Sequence, residues 1–238
     1  MKAMILAAGR GTRLRPLTYT VPKALVPVRG KPMLQWVIER LRAAGADHIA
    51  VNAHHLADQI FSFVRNNRFG VHVEVLHEPE LLETGGAIAH AYPFLKDTKP
   101  VMVHNVDMFS NIDLVQVWNA HAANDAPVTL AVDRPGGEQP FLIDGGGVIV
   151  GARNTVSHTQ VRCGKEDEQV TEVRFCGVHV ISQQFLESLC QRKTAGISIA
   201  DLYLDYAREG MNIKTFDVGD RFSHDIGTVE RYEQINKT

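Results

Sequence analysis

The chain opens on a short apolar run, Lys2 to Ala8, closed by Gly9. An uninterrupted apolar run of that length, bounded by glycine, predicts a buried strand. Pro16, Pro22, Pro27 and Pro32 follow at spacings of five or six residues. Each lacks an N–H and biases its predecessor away from the α region, so no long helix fits between them. Gly9 to Lys31 is therefore expected as a long irregular connection. Leu14, Leu17, Val21, Leu25, Val26 and Val28 give it apolar anchors of its own, which argues for a functional loop rather than a disordered one.

Beyond the loop, strand and helix patterns alternate. Pro32 suits the first turn of a helix. Met33, Leu34, Val37, Ile38, Leu41 and Ala44 then form an apolar stripe ended by Gly45. HIAVNA reads as a strand, Leu56 to Val64 as a helix, HVEVLHE as a strand, GGAIAHAYPFL as a helix and PVMVHNVD as a strand. Alternation at these lengths predicts an α/β fold, a parallel sheet flanked by helices. Right-handed crossovers then place the loops after successive strands along one edge, where a ligand is expected beside Gly9–Gly11, Glu83–Gly86 and Asp107.

The second half is less regular. PVTLAVD and the hairpin-like FLIDGGGVIV extend the β-structure, and VTEVRFCGVHVIS reads as a strand before a helix from Gln183 to Cys190. ISIADLYLDYAREG is an amphipathic helix ending at Gly210, IKTFDVG a strand, and HDIGTVERYEQINK an irregular start finishing as a helix. Cys163 to Gln169 is the expected mobile loop.

Composition changes the picture only in places. At 238 residues, 45% hydrophobic and 22% charged, the chain is an ordinary globular one. It is expected to form a single domain over residues 1–238. A pI near 6.6 argues against nucleic acid or anionic membrane as partner, and no apolar run is long enough to span a bilayer. Cys163, Cys176 and Cys190 have no CxxC spacing and cannot all pair, so reduced thiols in the cytoplasm are expected.

Charge is unevenly placed. The formal net charge is -2, yet Lys2, Arg10, Arg13, Arg15, Lys23, Arg29 and Lys31 precede the first acid, Glu39. An anchored, purely cationic loop points to an anion site. Gly9 and Gly11 sharpen this, because glycines after a buried strand let backbone N–H groups approach a phosphate. Leu14 stands where a dinucleotide fingerprint wants its third glycine, and a Walker loop would need GK[ST] after four residues. Neither fits. The histidines at 54, 55, 104 and 224 lack the spacing of a zinc site.

AAGRGTRLRPLT followed by PKALVPVRGKP closely resembles the signature of sugar-1-phosphate nucleotidyltransferases. LLETGGAI, VHNVD, FCGVHVIS and HDIGTVERY resemble later blocks of that family in the same order. The short length and the ETGG block resemble bacterial N-acetylmuramate 1-phosphate uridylyltransferases and heptose 1-phosphate guanylyltransferases. The fold implied is a Rossmann-like three-layer sandwich with a mostly parallel mixed sheet. Its nucleotide-binding half would be about residues 1–112 and its sugar-binding half about 113–238.

The resemblance also implies a chemistry. A sugar phosphate oxygen attacks the α-phosphorus of a nucleoside triphosphate and pyrophosphate leaves. Ala7, Ala8, Gly9, Gly11 and Thr12 would cradle the nucleotide, Arg13 would meet the departing pyrophosphate and Lys23 the reacting phosphates. Glu83, Thr84 and Gly85 would lie against base and sugar. Asn105, Gly177 and Asp201 would touch the sugar side, while Asp107 and Asp225 match the family's Mg²⁺ ligands. Two departures stand out: Val106 replaces the usual glycine before the first aspartate, and no Glu-Lys-Pro element is present to grip the sugar phosphate. Arg153 and Lys165 are candidate substitutes. UTP with an N-acetylmuramate-like or hexose 1-phosphate is the expected pairing. GTP with a heptose or mannose phosphate, CTP with a phosphorylated alcohol such as phosphocholine, and a silent nucleotide-sugar sensor are the alternatives. The partners expected are these small molecules, with no nucleic acid and no membrane, acting on a monomer or small homo-oligomer.

Overall fold

Alternating side chains of β1 (Lys2–Leu6) enter two different cores: Ala3 and Ile5 one, Met4 and Leu6 the other, all buried. A strand apolar on both faces has to be covered on both. In this computed structural model, which describes residues 1–133, 136, 139–163 and 169–237, the same split recurs along the sheet. Ile49 and Val51 oppose Ala50, and Met102 opposes Val101 and Val103. The result is a three-layer α/β sandwich.

The Gly9–Lys31 connection contains three single 3₁₀ turns, Thr12–Leu14, Leu17–Tyr19 and Lys23–Leu25, and a two-residue ladder between β2 (Pro27–Val28) and β3 (Lys31–Pro32). Leu14, Ala24, Val26 and Val28 anchor it in the core, but Leu17 is 39% exposed and anchors nothing. Pro32 precedes α1 (Met33–Ala43) as its cap residue instead of occupying its first turn. Then come β4 (His48–Ala53), α2 (Ala57–Asn66) and β5 (His72–His77). GGAIAHAYPFL is not one helix. It divides into α3 (Glu83–His90) and α4 (Tyr92–Leu95), with Pro93, which has no N–H to continue the first helix, in the opening turn of the second.

β6 (Val101–Asn105) pairs parallel to β1, which pairs parallel to β4 and through it to β5. β7 (Met108–Ser110) and α5 (Leu114–Ala122) follow, then β8 (Val128–Asp133), β9 (Phe141–Ile143), β10 (Ile149–Asn154) and β11 (Thr159–Arg162). The long β12 (Thr171–Ile181) runs against β6, β8 and β9. After α6 (Gln183–Cys190) and α7 (Ile199–Arg208), β13 (Ile213–Asp217) joins β8 in parallel. In the run β5-β4-β1-β6-β12-β8-β13 only β12 opposes the common direction, so the sheet is mixed and mostly parallel. β14 (Ser223–Asp225) and α8 (Val229–Lys237) complete the chain.

α1, α5 and α8 cover one face through Leu34, Ile38, Leu114, Val117 and Ile235; α3, α6 and α7 cover the other through Ile88, Phe185, Leu202 and Tyr203. Most of the expected mobile loop, residues 164–168, lies outside the described residues, as does Lys165. Among the described residues no helix is long and apolar enough to cross a membrane.

Candidate active site

The C-terminal ends of the parallel strands meet at one register: Leu6 pairs with Asn52 on one side and Asn105 on the other. This edge forms the floor of a cavity of about 370 Å³ lined by Ala8, Gly9, Arg10, Gly11, Thr12, Lys23, Asn52, Glu78, Glu83, Thr84, Asn105 and Asp107, among others. Gly11 turns the loop at φ 59°, where a Cβ would meet Thr18 Cγ2 at 2.9 Å. The buried Thr18 closes the turn, its Oγ1 donating to the Gly11 carbonyl at 2.7 Å. Ala7 takes part through its backbone: its N–H donates to Asn52 Oδ1 at 2.7 Å.

Asn52 and Glu78 were not singled out from sequence. Both are buried, and Asn52 Nδ2 donates to Glu78 Oε1 at 2.8 Å. The signal was present, since a polar residue at the end of an apolar strand needs a partner, but HIAVNA names no partner. The pair ties the glycine loop to β4 and β5. Glu83 starts α3 at φ 57°, a left-handed conformation rare for a residue with a Cβ.

A second cavity, about 890 Å³, opens on the far side of Asn105 and Asp107, which line both. Here a three-residue ladder joins distant segments: Asp225 of β14 lies opposite Met108 of β7, and Ile226 N–H donates to the Asp107 carbonyl at 3.0 Å. Asp107 and Asp225 thus line the same cavity, brought there by a small antiparallel pair outside the main sheet, not by the parallel sheet itself. Arg40 pins β7, donating to Ser110 Oγ at 2.8 Å and the Ile112 carbonyl at 2.5 Å.

Each aspartate holds a cation: Lys23 Nζ is paired with Asp107, and Arg231 Nη1 with Asp225. Burial pushes the Asp107 carboxyl up, but the Lys23 ammonium outweighs it and leaves the group below the usual carboxylate range. Arg13 approaches from the glycine loop. A Cβ built on Gly227 would collide with Asp225 Oδ1 and lie 3.1 Å from Arg13 Nη2, so the Gly227 position leaves room where the two segments converge.

The donor set suits a hard divalent ion. Three carboxylates, Asp107, Asp133 and Asp225, line one cavity. Asp133 is clamped by Arg174, and Mg²⁺ takes one or two carboxylates with substrate phosphates and water completing its shell. Among the described residues no group of three or more His, Cys, Asp or Glu side chains could hold a metal, so substrate oxygens would have to supply the rest.

Other sequence candidates have different surroundings. A Cβ on Gly85 would strike Leu202 Cδ1 and come 2.9 Å from the Ile197 carbonyl, so the close approach this glycine permits is to α7 and the loop before it. Thr84 Oγ1 accepts from the Ile199 N–H at 2.7 Å and ties the same two segments. Gly177, at φ 68°, sits at a register shift in β12 and packs against Asn105, whose Cβ a side chain there would meet at 3.1 Å. Asp201 caps α7 with Ser198, whose Oγ donates to it at 2.6 Å, and it is not among the described residues lining either cavity. Arg153 is paired with Glu172 on the β9–β11 extension. Sequence reasoning also passed over the cavity wall of Arg174, Arg221 and Arg231. Arg174 is fixed by Asp133 and by the Ser223 carbonyl at 2.8 Å.

Residues 2–141 match the nucleotidyl transferase family model. The chain belongs to that family. Within it, N-acetylmuramate alpha-1-phosphate uridylyltransferase of Neisseria meningitidis serogroup B is 46% identical over 120 residues, 50% of this chain and 52% of that protein. UTP--glucose-1-phosphate uridylyltransferase of Synechocystis is 33% identical over 201 residues, 79% of this chain and 50% of that protein. The chain spans about half the length of these relatives. The family fold is shared with HddC of Yersinia pseudotuberculosis at a TM-score of 0.74 and 22% identity, covering 99% of this chain and 98% of that one.

Proposed function

We propose that this nucleotidyl transferase joins a nucleoside triphosphate to a sugar 1-phosphate, releasing pyrophosphate and an NDP-sugar. The observation that carries the reading is the meeting of two cavities at Asn105 and Asp107, one walled by the Gly9–Thr12 loop and the other by arginines and Asp225. One anion on each side of that boundary puts a phosphate oxygen against the α-phosphorus. The new P–O bond forms as the bond from the α-phosphorus to its bridging oxygen breaks, and pyrophosphate leaves with the electron pair. The attacking phosphate is already anionic near neutral pH, so no general base is needed. Alignment and charge neutralisation carry the catalysis.

In this reading residues 1–112 hold the nucleotide and 113–238 chiefly the sugar, in one domain. Backbone N–H groups of Gly9 to Thr12 face the triphosphate, Lys23 the reacting phosphates and Arg13 the leaving pyrophosphate. Asn105, whose Oδ1 has no partner among the described residues, is offered to the sugar side. Asp107 and Asp225 would hold Mg²⁺, which when bound neutralises charge on the phosphate oxygens. The three cysteines are free thiols, consistent with a cytoplasmic setting.

UTP with an N-acetylmuramate-like 1-phosphate is the favoured pair, on the 46% identity to the Neisseria enzyme. A guanylyl alternative rests on 36% identity over 141 residues to mannose-1-phosphate guanylyltransferase of Mycobacterium tuberculosis. Pyrophosphate release with the four NTPs against a panel of sugar phosphates tests both: kcat/KM should be highest for UTP with the muramate phosphate, and clear preference for GTP with mannose or heptose phosphate would replace it.

A further inference from the structure

The chain lacks a Glu-Lys-Pro grip, and the wall of the larger cavity offers several arginines instead. Most are committed. Arg174 is clamped by both Asp133 oxygens and the Ser223 carbonyl. Arg221 donates to the Val218 carbonyl at 3.2 Å and to Gln116 at 3.1 Å. Arg29 leans on the Ile235 carbonyl and lies 5.2 Å over the Phe109 ring. Arg231 differs. Its side chain is 53% exposed, it projects from the first turn of α8, and its guanidinium is held by Asp225.

Resting on the two-cavity assignment above, we propose that Arg231 is the residue that grips the sugar phosphate, held in reserve on Asp225 until a divalent ion takes that carboxylate. A half-exposed ion pair is weakly held and easily exchanged. A divalent ion brought to Asp225 with the triphosphate would replace one positive charge by two. The released guanidinium, still lining the cavity, presents a planar fork that matches two phosphate oxygens. Lys23 on Asp107 repeats the arrangement from the nucleotide side. Both carboxylates thus carry a cation whose alternative partner is a phosphate, so each cation exchanges one anionic partner for another on loading.

The test uses the intact protein and three readouts. Mn²⁺ binding to the substrate-free protein, followed by electron paramagnetic resonance, should tighten several-fold in Arg231→Ala because the competing cation is gone. In pyrophosphate release, KM for the sugar phosphate should rise about 10- to 100-fold, the value of a charge-assisted bond to phosphate, while KM for the metal-bound NTP should not rise and should fall by at most the factor by which Mn²⁺ binding tightens. Arg231→Lys should recover part of that KM, and the melting temperature should be unchanged in both variants. Unchanged Mn²⁺ affinity, or an unchanged KM for the sugar phosphate, in a wild-type background that does release pyrophosphate, overturns the exchange and leaves the proposed reaction standing. A wild-type protein with no pyrophosphate release on any substrate pair removes the reaction itself.

Discussion

Asp107 and Asp225, 118 positions apart, are tied by one backbone hydrogen bond: the amide following Asp225 donates to the carbonyl of Asp107 at 3.0 Å. The ladder between β7 and β14 is only three residues long. It nevertheless holds Asp225 beside Asp107 on the wall of the larger cavity.

Under the proposed function, that adjacency makes the two aspartates act as one unit. Asp107→Asn and Asp225→Asn keep shape and remove a charge each. Either should abolish most turnover, with the double variant little worse than the singles. Activity should vanish with a chelator and return with Mg²⁺. Single-turnover rates for the three variants, with and without added metal, check this; multiplicative losses in the double variant would mean that the carboxylates act separately.

Arg13 is exposed, and Leu14 beside it is the buried anchor. Arg13→Ala should therefore leave the melting temperature nearly unchanged. Turnover should fall by roughly 10²- to 10³-fold, as loss of a preorganised charge does. Calorimetry and initial rates on the same preparation decide it, and wild-type turnover in the folded variant would remove Arg13 from the site.

Gly85 separates packing from recognition. An alanine there collides with Leu202 and crowds the Ile197 carbonyl, which should cost roughly 1–3 kcal/mol of stability. The KM for the nucleotide should stay near its original value at a temperature where the variant is folded. A raised KM with no loss of stability would return Gly85 to the base-binding role the ETGG block suggests.

Buried histidines set an acid limit. Burial holds His104 and His179 down to about 3 from the ordinary 6.5. Below pH 6.5 the unfolded chain takes up protons that the folded one refuses, so this contribution is fully present above pH 6.5 and is lost as pH falls toward 3. Two such groups should lower the unfolding free energy by roughly 3 kcal/mol between pH 7.5 and 5.5. Urea titrations at the two pH values measure it; equal midpoints would mean that these rings accept protons inside the fold.

Much of this architecture was legible in the chain. The parallel half could be read because its strands are apolar on both faces and its helices carry clear stripes, which period and glycine punctuation reveal. The opening block could be read because its glycines and cations are consecutive. What could not be read depends on pairing at a distance. Three-residue strands such as β7 and β14 carry too little pattern to announce a ladder. Asn52 and Glu78 are 26 positions apart, and each alone looks like an ordinary polar strand end. Asp201 and Gly85 carry family-like identities whose neighbours in space, Ser198 and Leu202, are a helix cap and a packing contact. Arg231 reads as a surface charge until Asp225 is seen beside it.

The most direct measurement follows phosphorus by NMR in a mixture of the protein, Mg²⁺, UTP and N-acetylmuramate 1-phosphate. The expected spectrum shows both substrates disappearing together, with a nucleotide-sugar diphosphate and pyrophosphate growing in equal amounts. Consumption of UTP to UMP and pyrophosphate with the sugar phosphate untouched would contradict nucleotidyl transfer, and would make the two-cavity site a hydrolase.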